Sequence, residues 1–123
     1  YYRDGANHDQ AFVIDQTSGT WGNAIKVPGT AILNTGGTAN VQSVSCATAG
    51  NCAAGGTYID GSGHSQAFVA NETNGIWGNA IEVPGTATLN TGGAANVSTR
   101  LPAGSVSLYS WSTVTWVPPA VAW

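Results

Sequence analysis

The stretch NGIWGNAIEVPGTATLNTGG, residues 74–93, restates SGTWGNAIKVPGTAILNTGG, residues 18–37, fifty-six positions later. The match extends on both sides without an insertion. It pairs Tyr2 with Tyr58, Asp4 with Asp60, His8 with His64, Phe12 with Phe68 and Val41 with Val97. Periods of this size mark repeat architectures in which each unit is one supersecondary element. Such a unit does not shield its apolar face alone and stacks on a neighbour.

Each unit reads as short antiparallel strands. Residues 41–47 (VQSVSCA) and 65–70 (SQAFVA) alternate apolar and polar, the period of a strand with one buried face. Residues 52–59 (CAAGGTYI) run into the turn Asp60-Gly61. Asn74-Gly75 is a two-residue hairpin signal, because both central positions of such a turn need positive φ. Simple alternation through 76–83 puts Ile76, Gly78, Ala80 and Glu82 on one face and Trp77, Asn79, Ile81 and Val83 on the other. Pro84-Gly85 ends the strand, since Pro cannot donate to a ladder. Residues 86–95 (TATLNTGGAA) then cross to the next unit.

Four short strands per unit is the pattern of a β-propeller blade. A β-solenoid and a small sandwich are the rival all-β readings. The expected fold is all-β, with tandem four-stranded propeller-type blades: a first unit at 1–56 and a second at 57–100. Two blades do not close a propeller, so completion into a ring by oligomerisation is expected, with three copies giving six blades. Residues 101–123 break the repeat and carry Trp111, Trp116 and Trp123. This tail reads either as closing strands or as a foreign or frame-shifted segment.

Composition agrees with an all-β chain and narrows its partners. Charged residues are 7% of the sequence, against roughly 25% in ordinary soluble proteins. Five Trp, four Tyr and two Phe argue against disorder. The three cations, Arg3, Lys26 and Arg100, cannot neutralise a run of phosphates or an anionic bilayer. Nucleic acid is therefore not an expected partner. No apolar run nears the roughly 20 residues of a membrane span.

Cys46 and Cys52 flank the turn-like ATAGN. Facing positions of an antiparallel pair suit a disulfide, which fits an exported protein; two small buried thiols are the alternative. A metal site is not expected, because His8 and His64 fall in equivalent places of separate units. Asp4 and Asp60 sit in Asp-Gly turns, where the side chain caps its own backbone. No nucleophile–base constellation stands out, so the expectation is a protein without catalytic residues or cofactor.

The recurring aromatics, Trp21 with Trp77 and Tyr2 with Tyr58, are either core or ligand platform. Sugar rings stack their apolar faces on Trp and Tyr, while Asn, Glu and Arg supply directional hydrogen bonds. Asn or Glu lining a groove beside Trp77 would favour a ligand role. A fully buried Trp would favour a structural one.

The segments SVSCATAGNCAAGGTYIDGSGHSQAFV and NGIWGNAIEVPG resemble the tandem repeats of secreted bacterial proteins, many from actinobacteria. That resemblance implies propeller blades and a secreted or cell-surface location. More loosely, a strand, a turn and NG-x-W-G is similar to the blades of fucose-binding fungal and bacterial lectins, some of which trimerise from two-blade chains. Those lectins combine Arg, Glu and Trp at sites between neighbouring blades. The resemblance implies Trp21 and Trp77 as stacking residues, Glu72 as acceptor and Arg3 as donor. Ile59 and Gln16 stand where a second Arg and Glu would be, so one such site at most is complete.

The expected function is a non-enzymatic carbohydrate-binding module. The alternatives are a structural or adhesive repeat segment without a small ligand and, third, a fragment of a glycosidase-type propeller. Candidate ligand-binding residues are Trp21, Trp77, Glu72, Arg3, Tyr2 and Tyr58.

Overall fold

A computed structural model describes residues 1–98 of the chain; the Trp-rich tail at 101–123 lies outside the described residues. The first unit consists of β1 (Tyr2–Arg3), β2 (Asp9–Gln10), β3 (Phe12–Val13), β4 (Gln16–Thr17), β5 (Thr20–Trp21), β6 (Ile25–Lys26) and the single helical turn α1 (Thr30–Leu33). A larger sheet comes next, made of β7 (Ala39–Thr48), β8 (Asn51–Ile59), β9 (Ser65–Thr73), β10 (Ile76–Trp77) and β11 (Ile81–Glu82), and then α2 (Thr86–Leu89). The described residues are thus all-β apart from two helical turns. The described residues close no barrel or ring.

The larger sheet is an antiparallel meander: β7 pairs β8, β8 pairs β9, and β9 pairs both β10 and β11. The first unit repeats its last three strands, with β1 on β2, β3 on β6 and β4 on β5. Spatial sheet and sequence period are out of phase, because the boundary between residues 56 and 57 falls inside β8.

Both hairpins are built as their sequences demand. Asn74 and Gly75 have φ of 50° and 80°, and Ser18 and Gly19 have 48° and 80°. Left-handed pairs of this kind match the right-handed twist of the flanking strands.

Straight alternation through 76–83 does not hold. Trp77 pairs with Glu72, but Ile81 pairs with Val69, so one extra residue enters the β10–β11 side. The Gly78 amide donates to the Asn71 carbonyl at 2.8 Å within this bulge. A bulge flips the facing of the residues beyond it. Trp77 and Ala80 therefore share one core, while Val83 belongs to another and Ile81 is exposed. The first unit carries the same bulge: Gln16 opposes Trp21, yet Val13 opposes Ile25.

Two apolar clusters lie on opposite faces of the larger sheet. The first packs Ala11, Val13 and Val27 of the first unit against Ala39, Ala54, Tyr58, Phe68, Ala70, Trp77 and Ala80. Phe68 is fully buried there; a side chain of that kind contributes about 1.5–3 kcal/mol by leaving water. The second cluster joins Ala67, Val83, Ala95 and Val97, with Val69 packed against it.

Helical turns replace the plain crossing expected after each Pro-Gly. Gly29 and Gly85 take φ of 81° and 86°. Thr30 and Thr86 then donate their hydroxyls to the carbonyls of Val27 and Val83 at 2.8 and 2.7 Å. The pattern was short and largely small or β-branched, so periodicity alone did not reveal it.

Candidate functional site

The face-to-face packing of the first unit on the larger sheet leaves a cleft of about 630 Å³. Such a volume lies within the range of small-ligand sites, roughly 300–1,000 Å³. The first unit supplies residues 12–18. The larger sheet supplies Val44, Cys46, Cys52, Glu72, Gly75 and Trp77. Cys46 and Cys52 oppose each other on β7 and β8 and form a disulfide, so one wall is covalently fixed.

Three side chains give this cleft its chemistry. The Trp77 Nε1–H donates to Asp15 Oδ1 at 3.2 Å, tying the two units together. Trp77 is only 7% exposed, so what it offers a ligand is confined to the cleft. Glu72, opposite Trp77 across the strand pair, is 5% exposed. No hydrogen bond reaches its carboxyl from the described residues. Burial first, and the neighbouring Asp15 charge second, push the Glu72 carboxyl above the usual range. An acceptor of this kind, opening on the cleft, is stabilised by any donor that enters.

The candidate residues separate clearly. Glu72 and Trp77 meet in the cleft. Trp21 is 62% exposed and does not line the cleft. Arg3 is bound to Asp9 by a 2.8 Å ion pair on the surface, which raises its pKa and lowers that of Asp9. Tyr2 packs its ring on Phe12 at 6.4 Å, tilted by 58°. Tyr58 is buried in the first cluster and donates to Glu82 Oε2 at 3.2 Å. Burial, reinforced by the Glu82 charge, pushes its phenol up to about 12.

Asp15 is the cleft residue that sequence reasoning passed over. The signal was available: Asn71 replaces it in the other unit, just as Gln16 replaces Glu72. One unit's acidic position and the other's therefore face each other across a single interface.

The remaining acids and histidines are structural. Asp4 Oδ1 accepts from the amides of Ala6 and His8, and its Oδ2 accepts from Gln10. Asp60 does the same with Ser62, His64 and Gln66. His8 and His64 lie over Gly37 and Gly93, where an added Cβ would come within 2.9 Å of each ring. Among the described residues no group of three or more His, Cys, Asp or Glu side chains could hold a metal ion. No helix among them is long and apolar enough to cross a membrane.

No protein-family model matches the chain, and no curated protein or solved structure matches it significantly.

Proposed function

We propose that the chain is a non-enzymatic carbohydrate-binding module of an exported protein, built from propeller-type blades, with its ligand site in the cleft between the first unit and the larger sheet. The carrying observation is Glu72: a side chain only 5% exposed, whose carboxyl receives no hydrogen bond from the described residues and stands beside Trp77 and Asp15 on the cleft wall. Sugar hydroxyls are donors of the kind that this acceptor lacks, and the Phe12, Val13 and Val44 lining suits the apolar face of a ring. The disulfide is consistent with an oxidising compartment. Single-site affinity would be weak, and several copies in a ring would raise it by avidity. A glycan array probed with the assembled protein tests this reading. Binding that Glu72→Ala reduces at least tenfold supports it, and silence across all sugars removes it.

One observation favours a glycosidase-type reading as second. Glu72 and Asp15 line the same cleft, and sugar hydrolysis uses a pair of carboxyl side chains flanking the bond that is cut. Release of reducing ends from a bound glycan, abolished in Glu72→Gln, would favour hydrolysis over simple binding.

A further inference from the structure

The cleft carries negative charge and, among the described residues, nothing of the opposite sign. Asp15 and Glu72 line it together, and no described Lys, Arg or His does. Arg3 is held at the surface by Asp9, and Lys26, which opposes Phe12 in the β3–β6 ladder, does not line the cleft. The Asp15 carboxylate is met by one uncharged donor, the Trp77 indole at 3.2 Å. The Glu72 carboxyl, on a residue only 5% exposed, accepts no hydrogen bond from the described residues and opens on the cleft. Carboxylates withdrawn from water are ordinarily paired or hold a cation. The described residues supply neither partner.

The duplication shows that the strand pairing does not ask for these charges. Asp15 is repeated as Asn71, and Glu72 answers to Gln16. The main chain behaves alike at both positions of the first kind. The Gly22 amide donates to the Asp15 carbonyl at 2.9 Å, and the Gly78 amide to the Asn71 carbonyl at 2.8 Å. Gln16 opposes Trp21 just as Glu72 opposes Trp77. Amide side chains therefore serve the hairpin and its bulge as well as acids do. The two acidic versions meet only in the cleft.

We infer that the cleft receives an ammonium group between Asp15 and Glu72, so that its ligand is a sugar carrying a free amine. This rests on the carbohydrate reading and names the class of sugar within it. A neutral hydroxyl satisfies one acceptor and leaves two like charges facing each other. An ammonium is a compact charge with three donors, so it bonds to both carboxyls and cancels their repulsion. Hydrogen bonds to ionised groups are also the stronger ones. A metal ion is a poorer occupant, because no group of three or more His, Cys, Asp or Glu side chains is assembled among the described residues. Phe12, Val13 and Val44 offer an apolar wall to the face of the ring.

Ligand and proton then compete for Glu72. Among the described residues Asp15, from the first unit, is the one ionisable group that faces it; β7 and β8 bring Val44 and the disulfide, and β10 brings Trp77. Burial first, and the Asp15 charge second, hold the Glu72 carboxyl above its usual range. An ammonium favours the ionised form, so binding it releases the proton. Affinity for an amine rises with pH through the Glu72 titration and falls again where the amine itself loses its charge. An acetylated amine is neutral throughout and lacks this bell.

Calorimetric titration of the full chain with two pairs of probes tests the assignment: a glucosamine oligomer against its N-acetylated form, and cyclohexylammonium against cyclohexanol. At the top of its pH profile each amine should bind at least about tenfold tighter than its neutral partner. Asp15→Asn and Glu72→Gln keep the shape and the acceptors of the cleft while removing charge. Each should weaken the amines about tenfold or more and the neutral probes less than about threefold, with thermal unfolding confirming that both variants fold. Amines that bind no tighter than their neutral partners, or whose advantage survives both substitutions, overturn the ammonium site. An N-acetylated oligomer bound as tightly as the free amine keeps the sugar reading while doing so. Cyclohexylammonium bound in the charge-dependent way while both oligomers are silent supports the ammonium site and removes the sugar reading alone.

Discussion

The Trp77 indole reaches across 62 positions to Asp15, Nε1 to Oδ1 at 3.2 Å, and in doing so ties the larger sheet to the first unit at the wall of the cleft. Asp15→Leu leaves this nearly buried N–H without an acceptor and should destabilise the chain by about 1–3 kcal/mol in denaturant titrations. Asp15→Asn, the residue found at the equivalent position 71, keeps an acceptor and should cost less. It also removes the charge beside Glu72. The Glu72 carboxyl, followed by carbon-detected NMR, should then titrate at lower pH while burial still holds it above the ordinary range.

Glu72 itself sets a pH dependence. Its folded pKa is raised, so its contribution to stability is fully present below the unfolded carboxyl value and is lost as pH rises through the folded one. Glu72→Gln should therefore be more stable than the unaltered chain at pH 7–8. That gain should vanish under acid conditions in which both forms are neutral. A stability gain that persists unchanged at low pH would exclude desolvation of the charge as its cause.

Asp4 and Asp60 act with the opposite sign. Hydrogen bonds hold both carboxyls below the ordinary value: chiefly from the His8 amide and Gln10 at Asp4, and from Gln66 and the His64 amide at Asp60. Their stabilisation is present above the unfolded pKa and is lost as pH falls through the folded one. Thermal scans between pH 2 and 6 should show an acid limb that steepens below about pH 4, near the free aspartate value. Asp4→Asn with Asp60→Asn should flatten that limb.

The Cys46–Cys52 bridge closes a short loop, and for short loops the chain-entropy contribution is about 2 kcal/mol. Replacing both residues by Ala should lower unfolding free energy by that order. Cys52 also packs on the first cluster and lines the cleft, so, under the proposed carbohydrate-binding function, the loss should also weaken glycan binding. Mass spectrometry before and after reduction checks the starting state.

Gly56 sits where β7, β8 and β9 are most tightly pressed. A Cβ there would collide with the Asn40 carbonyl and come within 2.9 Å of the Phe68 ring. Gly56→Ala should cost about 1–3 kcal/mol through overpacking, read from the midpoint of urea unfolding.

The hairpin, the period and the alternating strand at 65–70 were legible in the sequence because each is a local or alternating signal. Asn74-Gly75 announced its turn, and the alternation of SQAFVA announced a strand. The bulge after Trp77 was not legible, because GNA carries no alternation from which to read an extra residue. It moved Ile81 out of the core and Ala80 into it. Of the candidates that the resemblance implied, Glu72 and Trp77 line one cleft. Asp15 required the third dimension: its role arises from which unit's face turns towards which, and spacing along the chain does not encode that. Tyr58 shows the converse, since a recurring aromatic beside Asp-Gly proved to be core in one unit while its twin Tyr2 is largely uncovered.

Because β8 straddles the join between the two sequence copies, the duplicated text and the packed sheet are different objects. Scissors applied between Gly56 and Thr57 would sever a strand in mid-ladder and strand its halves on separate fragments. Shearing instead before Ala39 would keep the meander whole. Anyone wishing to graft, shuffle or multiply this unit should take its cutting points from the hydrogen-bonded ladder and ignore where the letters begin again.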